Sequence, residues 1–203
     1  MLRKTPDLNR LLPLVAIGTI ADCQSIKDVT NRKLVKAGLK MFYHSKPVLG
    51  LNKLILGSTL KAKLEARIPF NSQDLAFILS PILNSSGRIS HARLSIKVLV
   101  QDDEQLTNLL IQTNQHRKQI VKNYVSEIEI EVNEQLEQNS SIIWLSGKWN
   151  KGVIGLIASR LVSKHNIPVV VISQNTQTFK QREVDTIESV IDGVIDKITN
   201  LKI

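Results

Sequence analysis

Cys23 is the only cysteine among 203 residues. That excludes an internal disulfide and a zinc site built from cysteines. No run of eighteen apolar residues occurs, so no segment reads as a membrane span and no membrane partner is expected. The apolar stretch LLPLVAIGTIAD that follows MLRKTPDLNR is short and lacks a small-residue cleavage pattern. This argues against a signal peptide and leaves the cytoplasm as the expected compartment. Internal repeats and low-complexity tracts are absent. So are the P-loop, GxGxxG, HExxH and GxSxG patterns, which removes support for P-loop, zincin and nucleophilic-serine chemistry. His44, His116 and His165 stand apart from any cysteine or histidine partner and read as surface or connector residues.

What is present is ordinary in amount and uneven in placement. The hydrophobic fraction is 42% and the charged fraction 22%, enough for a packed core in one domain or two small ones. Lysine and arginine exceed aspartate and glutamate by 9. Residues 1–70 carry 13 basic and 4 acidic side chains, whereas residues 71–203 carry 14 of each, so the whole excess lies in the first third. A basic region points to a polyanion, nucleic acid first; the plain alternative is a solvated lysine-rich surface.

The run Leu14–Ile17, closed by Gly18, predicts a buried strand with Asp22 at its carboxyl end. TNRKLVKAGLKMF predicts a helix capped at Thr30, SKPVLGLNKLIL a second with Pro47 near its start, and SQDLAFILSPIL a third, capped by Asn71 or Ser72 and interrupted or ended at Pro81. NSSGRISHARLS reads as a polar loop. QDDE announces a long helix from about Glu104 to Gln138, apolar at both ends and polar through QTNQHRKQ, as expected of a connector. SIIWLSG, KWNKGVIGLIASRLVSKHN and IPVVVIS form a βαβ unit with a parallel strand pair. From Val184 to Leu201 the apolar residues recur at alternating three–four spacing, the mark of an amphipathic helix.

Three places carry candidate chemistry. Asp22, after GTIA, suits a hard divalent cation, or serves as a cap or turn residue. In NSSGR, Gly87 permits close backbone approach. Asn84, Ser85, Ser86 and Arg88, with His91 and Arg93 just beyond, either hold a phosphate or make a polar turn. In GKWNKGVIG, Gly152 and Gly155 open a helix whose free N–H groups favour an anion, or serve helix–strand packing. Trp149 is a core anchor or a base-stacking platform.

The order VAIGTIAD, NRKLVKAGL, ILSPILNSSGRISHA, QDDE, NQHRKQI, GKWNKGVIGLIASRLVSKHNIPVVVIS resembles the RecJ-like single-strand-specific DNA exonucleases of the DHH phosphoesterase superfamily over about residues 8–173. GTIAD resembles the fourth catalytic motif. NSSGR resembles Asn-Ala-Ala-Gly-Arg. GKWNKGVIGLIASRL resembles the Gly-Trp-His-Pro-Gly-Val-Val-Gly segment that opens the DHH-associated domain. The resemblance implies an α/β fold made of the C-terminal part of a DHH catalytic lobe (1–100), a connector helix (101–138) and a small βαβ-containing DHH-associated nucleic-acid-binding domain (139–203). It implies 5′-to-3′ hydrolysis of single-stranded DNA with Mn2+ or Mg2+ as cofactor. Asp22 then serves as a catalytic metal ligand and Arg88 as a catalytic phosphate contact. Asn84, Ser85, Ser86, Gly87, His91, Trp149, Gly152 and Gly155 line the nucleic-acid path.

The departures from the family pattern are specific. The Asp-x-Asp, further Asp and Asp-His-His motifs that supply most metal ligands have no counterpart in these residues. Trp-His-Pro-Gly is replaced by Trp149, Asn150, Lys151, Gly152. The terminal Gly-Ser-Gly-Arg-Ser motif gives way to the tail from about Arg182. One carboxylate cannot hold two metals. The expectation is an exonuclease segment inactive alone, partnered by single-stranded DNA and by a separate chain carrying the Asp-His-His half. The alternatives are a catalytically dead single-strand-binding module and an interaction subunit that pairs through residues 182–203.

Overall fold

In a computed structural model, residues 8–44 and 49–174 are described. Pro47 and the tail expected to form a helix from about Arg182 lie outside them. A short 3-10 turn, Leu8–Leu11, leads into α1 (Leu12–Ala21), followed by α2 (Val29–His44), α3 (Leu49–Leu56) and α4 (Lys61–Glu65). One helical stretch then contains α5 (Ser72–Asp74), a wide π turn (Leu75–Leu79) and α6 (Ser80–Leu83). Next come α7 (Ser85–Ile89), α8 (Arg93–Val100), α9 (Glu104–Glu127) and α10 (Glu129–Glu137). The last described elements are β1 (Ile143–Gly147), α11 (Lys151–His165) and β2 (Val169–Ser173).

The expected strand at Leu14–Ile17 is helical instead. Pro13 sits in the first turn of α1, where its missing N–H costs nothing, and Ala16 and Ile17 are buried against α2. A short apolar run carries no period that separates strand from buried helix, and packing decided. Gly38 lets the two helices cross closely, because a Cβ there would lie 2.3 Å from the Leu12 carbonyl oxygen. At the start of α2, Asp28 rather than Thr30 does the capping: its Oδ1 accepts from the Thr30 and Asn31 amides at 2.7 and 3.0 Å.

Asn71 caps the third helix, with a full capping box to Asp74, whose carboxylate also holds Lys63 Nζ at 2.8 Å. Pro81 does not end this stretch. The backbone widens to the π register ahead of it, and Ser80 Oγ donates to the Leu75 carbonyl at 2.7 Å.

Two apolar cores flank one helix. Ile17, Phe42, Leu51, Ile55, Leu60, Phe70, Leu75 and Leu79 fill the first, where Phe42 and Phe70 meet edge to face at 5.3 Å. A smaller cluster of Leu54, Ile82, Val98 and Leu110 extends it onto the first half of α9. The second core gathers Val121, Ile128 and Val132 against Ile143, Leu145, Trp149, Val153, Ile157 and Leu161. Thus α9 serves both, through Leu110 at one end and Val121 at the other. The long helix expected to run to Gln138 is interrupted at Ile128, between α9 and α10. Strands β1 and β2 pair in parallel, Ile143 opposite Val169 and Gly147 opposite Ser173, with α11 as the crossover. Among the described residues the fold is therefore α/β, mostly helical, with one small parallel sheet.

Candidate nucleic-acid interface

The segment NSSGR is a short helix, α7, and not the loop expected from its polarity. Its two serines face inward. Ser85 Oγ donates to the Ile82 carbonyl at 2.6 Å, and Ser86 Oγ shares a hydrogen bond with Ser95 Oγ at 2.7 Å; both serines are buried. Their hydroxyls hold α7 to its neighbours and are not presented to a phosphate. Gly87 keeps a negative φ, so it supplies no left-handed turn. With Leu83, Asn84, Arg88 and Ala92 it lines a shallow recess of about 290 Å³. Asn84 and His91 are exposed.

Arg88 reaches out of α7 and donates from Nη1 to the Gly152 carbonyl at 3.1 Å. In the other direction, a Cβ on Gly152 would fall 1.9 Å from the Arg88 carbonyl oxygen. Two motifs 64 residues apart are thus in direct backbone contact. The Gly152 amide donates in turn to Asn150 Oδ1 at 2.8 Å, which caps α11. Asn150 is therefore a capping residue. Gly155 faces open space and is not needed for packing.

Trp149 is 7% exposed, in the second core, with Tyr124 tilted against it at 6.4 Å. Of its two readings the structure takes the core anchor; a stacking platform needs an open ring face. The exposed tryptophan is Trp144 on β1, 56% accessible.

Asp22 ends α1 on exposed backbone, its amide donating to the Gly18 carbonyl at 3.0 Å. Because Asp28 caps α2, Asp22 is not engaged as an N-cap. Among the described residues no hydrogen bond or ion pair joins Asp22 to either motif, and no group of three or more His, Cys, Asp or Glu side chains converges to hold a metal. The described residues alone do not fit a two-metal centre.

Composition and spacing missed Arg117. The polar middle of α9 is not solvated throughout: Asn114 and Arg117 are both buried. Arg117 donates from Nε and Nη2 to Asn114 Oδ1 at 3.2 and 2.9 Å. Burial first, then the charges of Arg88 and Arg160, push its guanidinium below the usual arginine value. The signal available in the sequence was the Asn-x-x-Arg spacing, which places both side chains on one helix face.

No family model matches the chain. Among curated proteins it is similar to the single-stranded-DNA-specific exonuclease RecJ of Bacillus subtilis, 33% identical over 177 residues, covering 85% of this chain and 21% of that protein. The RecJ of Haemophilus influenzae is 29% identical over 203 residues, covering 95% of this chain and 34% of the relative. The chain thus spans between a fifth and about a third of the length of these relatives. Two crystal structures share the fold at 21% identity. RecJ from Thermus thermophilus in complex with Mg2+ has a TM-score of 0.67 over 96% of this chain, and an exonuclease RecJ bound to manganese has 0.64 over 97%. Among the described residues no helix is long and apolar enough to cross a membrane.

Proposed function

We propose that this RecJ-like chain is the strand-gripping part of a 5′-to-3′ single-stranded-DNA exonuclease. Its first part, about residues 1–100, belongs to the catalytic lobe, α9 and α10 connect, and the βαβ unit is the DHH-associated nucleic-acid-binding domain. The observation that carries this reading is the Arg88–Gly152 contact. It brings NSSGR and GKWNKG to one place, in a chain whose similarity to RecJ exonucleases extends over most of its length. Arg88 spends one donor on Gly152, and its remaining guanidinium donors are suited to a strand phosphate. Asn84 and Gly87 line the recess beside Arg88. Asp22 would be a single ligand to a Mn2+ or Mg2+ ion whose other ligands are not among the described residues, and such a centre would supply water activation and charge neutralisation at a scissile phosphate. The other ligands come from an Asp-His-His half, so the polypeptide alone binds single strands and cuts them little.

A nuclease assay on 5′-labelled single strands with Mn2+, run beside a binding titration, tests both statements. The expected result is salt-sensitive binding without mononucleotide release, cleavage on adding a polypeptide that carries the Asp-His-His half, and loss of that cleavage in Asp22→Asn. Robust release by the chain alone overturns the claim of inactivity. Arg88→Ala should weaken a 5′-phosphorylated strand about tenfold; unchanged affinity removes Arg88 from the interface. Binding without cleavage even after complementation would favour a non-catalytic single-strand binder.

A further inference from the structure

A cleft of about 520 Å³ runs between α9 and α11; it shares no lining residue with the recess beside Arg88, although the Arg88 charge reaches Arg117. Val121 and Leu156 give it an apolar wall. Arg117, Lys118 and Arg160 bring three cations to it, and Ser159 and Ser163 two hydroxyls. The serines are four residues apart, so they share one face of α11 and point the same way. Ser159, Arg160 and Ser163 are exposed at the mouth, whereas Arg117 is 8% exposed at the floor.

The charges in this cleft are not balanced. Arg117 is held by one neutral oxygen, Asn114 Oδ1, and among the described residues no carboxylate pairs with Arg88, Arg117 or Arg160. A buried cation without a counter-charge is costly, and like charges nearby raise the cost. An anion entering the cleft relieves both terms at once. Asn114 fixes the plane of the guanidinium, so little side-chain freedom is lost when an oxyanion docks. Three cations and two hydroxyl donors match a tetrahedral anion with several acceptor oxygens better than a single carboxylate. An open mouth admits a polymer that passes across it.

We propose that the α9–α11 cleft is a second phosphate subsite, which takes an internal phosphodiester of a bound single strand. The assignment deepens the single-strand-binding reading and rests on it for the identity of the ligand. With one phosphate at Arg88 and another at Arg117 and Arg160, the chain holds the strand at two points, and the second is indifferent to what stands at the 5′ end.

The test uses the full chain, inorganic phosphate and a short 5′-hydroxyl thymidine strand, read by amide resonances and fluorescence anisotropy. Both probes should shift the Ser159 and Ser163 amides. Exposed Arg160→Ala should weaken the 5′-hydroxyl strand about tenfold without changing the melting temperature. Arg117→Lys, which keeps the charge and loses the fork, should bind with intermediate affinity. Strand binding that Arg160→Ala and Arg160→Glu both leave unchanged overturns the subsite while sparing the single-strand reading. Phosphate that shifts Ser159 and Ser163 in a chain that binds no strand keeps an anion site and sinks the single-strand reading. Shifts confined to other residues, or none with either probe, overturn the subsite.

Discussion

A methyl group at position 152 has nowhere to go. Gly152→Ala would drive its Cβ into the Arg88 backbone, so one segment must retreat, at about 1–3 kcal/mol. Gly155, three residues on in the same helix, faces open space. Gly155→Ala should therefore stabilise by about 0.5–1 kcal/mol through helix propensity alone. Denaturant unfolding of the two variants checks the contrast, and equal effects would mean that the α7–α11 contact contributes little. Composition shows both glycines alike, since a glycine kept for close approach looks the same as one that is not. Arg117 makes the same point for charge: in the sequence it is one of several polar residues in QTNQHRKQ, and only burial distinguishes it.

At the scale of elements, α9 matters most because both cores lean on it. Its first turn is secured by Asp103, whose carboxylate accepts from the Leu106 amide at 3.0 Å. Asp103→Ala should cost about 1 kcal/mol and lower the melting temperature. Hydrogen exchange should show the loss beyond the first turn, on both sides of the helix; protection lost only near residue 104 would show that the two cores stand independently. The small sheet has its own device. Gln135 on α10 donates from Nε2 to the Trp144 carbonyl and accepts the Trp144 amide at Oε1, both at 2.8 Å, so a side chain occupies the outer edge of β1. A cap at Asn71 or Ser72, a helix start at QDDE and the βαβ order were legible, because each is written in a few neighbouring residues. The strand expected at Leu14–Ile17 and the loop expected at NSSGR were not, because α1 and α7 are set by what packs on them.

For the whole molecule, the excess of positive charge takes a shape. Arg32, Lys36 and Lys40 recur every four residues on α2, all exposed, with Lys33 beside them and no acidic residue in the helix. Such a stripe creates a field that draws in a polyanion over a Debye length of about 10 Å. Replacing Lys36 and Lys40 together by alanine should leave thermal stability within about 0.5 kcal/mol. It should also flatten the dependence of strand affinity on salt, by about 0.7 per lost phosphate contact in the log–log slope. An unchanged slope would mean that the stripe is only a solvated face.

Local order came from the sequence itself. Helix spacing, caps, the parallel βαβ unit and the succession GTIAD, NSSGR, GKWNKG depend on near neighbours, and they sufficed for the α/β class and the likeness to RecJ. Tertiary structure alone decided that Arg88 meets Gly152, that the serines of NSSGR turn inward, that Trp149 is an anchor, and that Arg117 lies buried among like charges. Each of these depends on which faces of distant elements are pressed together and how much water is removed between them. No local pattern carries that information, because the same residue has a different chemistry when a neighbour from far along the chain covers it.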